Sequence, residues 1–182
     1  PHISVYPLSI ERGTPFDKAV LAGLMEPVDD DVQADHMLLA QQVLCDAGYR
    51  RYEVASYAKP GFECRHNKAY WTGVPYLGLG DAAATMTQNA ERRMRVQDGQ
   101  VVDDLDARQM AAEDLMLGMR LADGVDDALA ARAAALIPET PDAFRELEAA
   151  GLVRRGEGRW QPTDRGWLCG NELYGRLLDL AP

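Results

Sequence analysis

The six residues His66–Trp71, reading HNKAYW, put an imidazole, a carboxamide and two large aromatic rings directly after Gly61-Phe62-Glu63-Cys64-Arg65. A neutral imidazole ligates metals and exchanges a proton near neutral pH. Cys64 and His66 form a Cys-x-His pair, a spacing that can bind a metal, but two donors make only half of a tetrahedral site. The plainer reading is a buried histidine donating to a carbonyl, with Tyr70 and Trp71 as core packing. Residue types alone favour it, because aromatics near a histidine are mostly core. The three cysteines, Cys45, Cys64 and Cys169, are odd in number and widely spaced. That argues against a disulfide framework or a self-contained zinc or iron–sulfur site, and for reduced thiols.

The elements that must position HNKAYW are legible in part. HISVYPL is rich in β-branched and aromatic residues, ends at Pro7, and suits a buried strand. Residues 10–28 combine Gly-Thr-Pro turn chemistry with a short helical patch. DDDVQADHMLLAQQVLCDAGY predicts a helix. Asp29, Asp30 and Asp31 form its solvated acidic start, and Val32, Met37, Leu38, Ala40, Leu44 and Cys45 form its apolar stripe. Gly48 is its expected C-cap. RYEVASYA then predicts a strand, so strand–helix–strand implies a βαβ crossover and a parallel sheet. YLGLG, after Pro75, is a second strand-like run. Its glycines make sense where a ligand or another backbone comes close. ERRMRVQDGQVVDD predicts a hairpin with a tight Asp-Gly turn. Glu53 sits on the strand leading to HNKAYW and is placed to hold a backbone or an arginine. His2 is expected to face an interior, and His36 the surface.

From Leu105 the texture becomes helical. DARQMAAEDLMLGMRL has Met110, Leu115, Leu117, Met119 and Leu121 as its candidate core, and VDDALAARAAALI is a second helix. TPDAFRELEAAGL is a third, with Thr140 as expected N-cap and Pro141 at the first helical position. LVRRGEGRWQP predicts two short strands, and TDRGWLCGNELYGRLLDL a single final helix capped by Thr163. Helix–helix–helix–hairpin–helix is the order of a winged helix. DNA binding does not follow, because the third helix carries Asp142, Glu146 and Glu148 against Arg145 and would repel phosphate.

Bulk properties agree. The chain has 182 residues, a net charge of −10, 47% hydrophobic and 26% charged residues. That is globular composition, and its acidity disfavours nucleic acid or an anionic membrane as partner. No apolar run approaches the roughly 18 residues that span a bilayer. No signal-peptide pattern is present, so a cytoplasmic location is expected. The opening PHISVYPLSI has no initiator Met and reads as the middle of something larger.

Three blocks carry a family resemblance: HISVYPLSIERGTPF, YEVASYAKPGFECRHNKAYW and YLGLGDAAATM, in that order. They resemble the C-terminal half of the HemN/HemW family of radical S-adenosylmethionine proteins, and the haem-chaperone branch most of all. The likeness runs on through EDLMLGMRLADGVD and PTDRG. It implies an α/β fold. Residues 1–104 would be the C-terminal strands of a partial (β/α) radical S-adenosylmethionine barrel, and residues 105–182 a mostly helical, winged-helix-like domain. It also implies a haem site at His66, Asn67, Tyr70 and Trp71. His66 would ligate the iron, Trp71 would stack on a porphyrin edge, and Asn67 would contact a propionate or orient backbone. If the segment is helical, Tyr70 lies one turn beyond His66 on the same face. Ser9, Gly78, Gly80 and Ala84 would lie near S-adenosylmethionine.

The chain departs from the family at GLGDAAAT, where the family reads GIGPGAHS or GIGCGAHG. Ala82 replaces a glycine and Ala84 a histidine, which puts any second haem contact in doubt, and Asp81 is an added charge that one of Arg92, Arg93 or Arg95 could pair. The three close cysteines that hold a 4Fe–4S cluster are absent, so the chain alone is not expected to cleave S-adenosylmethionine. The implied function is that of a truncated radical S-adenosylmethionine haem chaperone, binding haem and delivering it to an apo-haemoprotein. Its barrel partner would be the missing N-terminal strands, and any membrane contact would run through the acceptor. Two alternatives stand beside it: part of an oxygen-independent coproporphyrinogen III dehydrogenase of porphyrin biosynthesis, and a ligand-free interaction domain with an exposed apolar face.

Overall fold

The computed structural model describes residues 1–182, which form two compact units, Pro1–Glu63 and Cys64–Pro182. The fold is mixed α/β, with eight helices in three small sheets' company and no closed barrel. No helix is long and apolar enough to cross a membrane.

In the first unit, β1 (His2–Ser4) leads to α1 (Pro15–Leu21) and then α2 (Asp30–Asp46). Thr14 caps α1 by accepting from Asp17 N–H, with Pro15 in the first turn. Asp29 caps α2 by accepting from Asp31 N–H, as its acidic start implied. The strand expected over RYEVASYA is instead a tight hairpin of β2 (Arg50–Arg51) and β3 (Ser56–Ala58). The turn is braced by buried Glu53, whose carboxylate accepts from Ala55 N–H at 3.3 Å. The expected parallel sheet is therefore corrected. β1 and β2 run in the same direction, as strand–helix–strand implies. However, β3 folds back between them and pairs antiparallel with both, in the order β1-β3-β2.

The buried residues of this unit are Glu53, Ala55, Ser56, Tyr57, Ala58 and Met37. On α2 the predicted stripe buries only Met37: Ala40 and Leu44 are half-buried, and Val32, Leu38 and Cys45 are exposed, as are Leu39 and Val43 outside the stripe. His36 is exposed, as expected. His2 is also exposed, with Nε2 2.9 Å from the Tyr52 hydroxyl.

The second unit begins with α3 (Arg65–Trp71), a helix over HNKAYW. YLGLG is a loop rather than a strand: only Tyr76 pairs, through an isolated bridge to Met86. The sheet β4 (Ala84–Gln88), β5 (Arg92–Gln97) and β6 (Gln100–Asp106) is an antiparallel meander. Asp98 (φ 49°) and Gly99 (φ 75°) make the predicted tight turn. Asp106 and Gln109 form a capping box that opens α4 (Ala107–Met119).

The helical half follows the predicted order. β7 (Val125–Asp126) and α5 (Asp127–Leu136) precede α6 (Thr140–Ala149). The hairpin β8 (Val153–Gly156) and β9 (Arg159–Pro162) comes next, with β7 added to its free side. The final helix is two helices, α7 (Asp164–Leu168) and α8 (Gly170–Leu178), broken at Cys169. Leu115, Met119, Val125, Ile137, Phe144, Leu147, Val153, Leu173 and Leu177 make the core; of the candidates on α4, Met110 and Leu121 stay half-buried at its rim. Thr140 does not cap α6: its hydroxyl donates back to Ile137 C=O at 2.8 Å, and the cap position falls on Glu139. Thr163 does cap α7, accepting from Gly166 N–H at 3.0 Å.

PTDRG has a packing reason. A Cβ on Gly166 would sit 1.8 Å from the Leu152 carbonyl oxygen, so no side chain fits. Gly166→Ala is expected to lower stability by about 1–3 kcal/mol through overpacking. Chemical denaturation checks it, and a midpoint equal to that of the unsubstituted chain would contradict this packing.

Candidate functional site

α3 is seven residues long, buries none of them, and has no side-chain cap at Cys64. A helix of two turns does not hold itself in water. Its position therefore comes from its neighbours.

His66 is exposed, with no residue of this chain packed over its outer edge as the buried-core reading expects. Its ring meets Tyr70 edge to face with centroids 4.8 Å apart. Tyr70 in turn packs on Tyr76, centroids 4.7 Å apart at a tilt of 50°. The result is a ledge of three rings, with Leu77 beside it in sequence and 73% exposed. Tyr76 was not singled out in the sequence; the signal that could have found it was the aromatic that opens YLGLG, six residues beyond Tyr70. Arg65 and Lys68 are both exposed, neither is ion-paired, and α3 carries no carboxylate, although the chain as a whole is strongly acidic.

Trp71 is not part of the ledge. Five residues along a helix turn the chain by about 500°, so Trp71 points roughly 140° away from His66, whereas Tyr70 differs by about 40°. Trp71 is half-buried and lies against the Arg120 guanidinium, 5.0 Å from its ring centroid. Asn67 is half-buried at the start of α3.

A buried ionic cluster fixes the ledge from below. Arg93 is 2% exposed. It pairs with Glu113, with Asp114 at 2.7 Å, and with Gln88 Oε1 at 2.8 Å. Gln88 donates from its amide to Gly73 C=O at 2.9 Å, just past the C-terminus of α3. Arg95 pairs with Asp103, reaches Glu113 at 2.7 Å, and lies beside the Tyr76 side chain. Burial works to lower the pKa of both guanidiniums. For each, the hydrogen bonds and charge of the carboxylates outweigh it, so both end above the ordinary arginine value. Both arginines stay charged.

The residues expected near S-adenosylmethionine fall in separate units: Ser9 is exposed in the first, while Gly78, Gly80 and Ala84 lie in the second. Gly78 is needed by the chain itself, because a Cβ there would lie 2.3 Å from Ala84 C=O. Asp81 is exposed and pairs with none of the three arginines, which are committed to Asp103, Asp104, Glu113 and Asp114. Ala82, standing where the resemblance expects glycine, has φ 60°, a conformation costly for an L side chain. Cys45, Cys64 and Cys169 are all free, and no three His, Cys, Asp or Glu residues converge to hold a metal. The donor set does not fit a 4Fe–4S cluster.

A family profile described as the HemN C-terminal domain matches residues 105–169. The haem chaperone HemW of Synechocystis is 31% identical over 174 residues, covering 87% of this chain and 40% of that protein. HemW of Mycobacterium tuberculosis is 32% identical over 190 residues, covering 97% of this chain and 47% of that protein. The chain thus spans about half the length of the curated relatives it matches. Among solved structures, coproporphyrinogen III oxidase (HemN) of Escherichia coli, a radical SAM enzyme, matches with a TM-score of 0.58. That match covers 98% of this chain and 47% of the other at 16% identity, and shows a shared fold.

Two outcomes follow from this geometry. Arg93→Met leaves half-buried Asp114 without its partner, while Glu113 keeps Arg95, and is expected to cost about 1–3 kcal/mol. Thermal unfolding checks it, and a loss below about 1 kcal/mol would mean the cluster is not what fixes this region. Ala82→Gly relieves the positive φ and is expected to add about 0.5–1 kcal/mol; a destabilised variant would show that the alanine side chain is needed.

Proposed function

The chain belongs to the HemN/HemW family, and from that premise we propose that it binds haem through His66 and passes it to an apo-haemoprotein. The observation that carries this reading is the exposed imidazole of His66 at the end of the Tyr70–Tyr76 ledge. A haem ligand needs one ring nitrogen free, and aromatic and aliphatic surface for the macrocycle. Tyr70, Tyr76 and Leu77 supply that surface. Asn67 and Arg65, each about 100° from His66 around α3, supply polar and cationic groups for the propionates, whose negative charge the rest of the acidic chain would repel. An open ledge also suits a cargo that must leave again.

The relatives at 31–32% identity are named as haem chaperones, which supports this reading over the coproporphyrinogen dehydrogenase, for which the likeness is one of fold. Reductive chemistry on S-adenosylmethionine is not assigned to this chain's own residues, since they cannot hold the cluster. Ser9, Gly78, Gly80 and Ala84 are what it would contribute to a nucleoside site. Residues 105–182 are proposed to act as a winged-helix-like interaction module. Their third helix, α6, exposes Asp142, Glu146 and Glu148, which suits a protein contact rather than nucleic acid.

The test is a haem titration followed at the Soret band. The unsubstituted chain should give a saturable shift, and His66→Ala should weaken binding by more than about tenfold, or 1.4 kcal/mol. Equal binding by both would show that His66 is not the ligand.

A further inference from the structure

We infer that Arg120, clamped between Trp71 and Tyr174, is a positioning residue for the haem helix, and that Trp71 is the helix's anchor rather than a porphyrin contact. This rests on the proposed ligation by His66 and gives the two ends of HNKAYW different tasks.

Arg120 follows the last turn of α4 as its C-cap. Its guanidinium carbon lies 5.0 Å from the Trp71 ring centroid and 4.6 Å from that of Tyr174 on α8. Its Nε contacts Met116 Sδ at 3.3 Å, one turn back on α4. No carboxylate pairs with it, although the chain has 29 acidic residues. What holds Arg120 is two aromatic faces and a thioether. A guanidinium is weakly hydrated and planar, so it stacks where an ammonium does not. Between two rings and partly desolvated, it gains cation–π attraction from both sides. The clamp joins α3, α4 and α8.

This clamp is what α3 otherwise lacks. The helix has no buried residue and no side-chain cap. The Tyr70–Tyr76 contact and the Gln88 bond to Gly73 tie its other side and its end. Trp71 reaches Arg120 at the end of α4, and it does so from the side of α3 opposite His66. With that ring engaged by Arg120, rotation of α3 is blocked and His66 is kept pointing outward. Loss of the clamp lets α3 rotate or fray. Haem then meets a smaller population of competent molecules, which lowers apparent affinity without changing the ligand.

The experiment uses the whole chain and two readouts. Hydrogen exchange of the α3 amides is measured without haem, so it stands whether or not haem binds. Arg120→Ala should speed α3 exchange about tenfold and leave α5 and α6 unchanged. With haem, it should weaken binding about tenfold at an unchanged Soret maximum. Arg120→Lys keeps the charge, loses the planar stack, and should speed α3 exchange about threefold with the fold intact. Trp71→Phe keeps a ring on Arg120 and should restore most of the affinity lost in Trp71→Ala. Unchanged α3 exchange in both Arg120 variants would overturn the inference. So would a Trp71→Phe variant that loses haem as fully as His66→Ala, since that marks a direct contact. If the unsubstituted chain shows no Soret shift, the ligation by His66 fails, while the exchange data still decide the clamp.

Discussion

A guanidinium almost wholly removed from water must be answered by carboxylates, and Arg93 organises its part of the chain for that reason. Glu113 and Asp114, adjacent on α4, face it, and Arg95 on the same strand shares Glu113. The hairpin β5–β6 is thereby locked to α4. From that lock two arms extend: Gln88 reaches the end of α3, and Arg95 reaches Tyr76. The ring ledge and the C-terminal end of α3 are therefore both tied to one ionic cluster. Such a cluster adds little net stability over a well-packed apolar one, but it penalises every arrangement that leaves a charge unpaired. Geometry is what it provides, and geometry is what a ligand site on a seven-residue helix needs.

α3 then divides its residues by helical phase. His66 and Tyr70 share one side, and Trp71 takes the other. A compact motif in sequence becomes a ligand edge and an anchor edge in space. Exposed His66 and engaged Trp71 are complementary: the second is buried enough to let the first remain free.

Much of the fold was legible because local chemistry decided it. Asp98-Gly99 announced its turn, Thr163 its cap, Asp29–Asp31 the start of α2, and the apolar period of 110–121 its helix. What was missed depended on pairing between distant segments. β3 inserting between β1 and β2 cannot be read from strand–helix–strand alone. YLGLG has the alternation of a strand, but Gly78 is there to admit the backbone of Ala84, and the run stays a loop. Thr140 looked like a cap, yet Ile137 C=O was the nearer partner. In the site, the residue types of HNKAYW were plain, while their facing was not. His66 was read from types as a core residue, and only the phase of α3 shows it outside. Tyr76 was invisible because its role needs Tyr70 and Arg95 on either side of it.

The most direct test is nuclear magnetic resonance of the chain with specifically labelled aromatic residues, titrated with ferric haem. Paramagnetic broadening falls steeply with distance from the iron, so it reads proximity residue by residue. The ring signals of His66, Tyr70 and Tyr76 should disappear first, with the Trp71 indole persisting behind the helix. Early loss of Trp71 with Tyr76 untouched, or uniform broadening at all rings, would contradict the two-sided helix and the ledge.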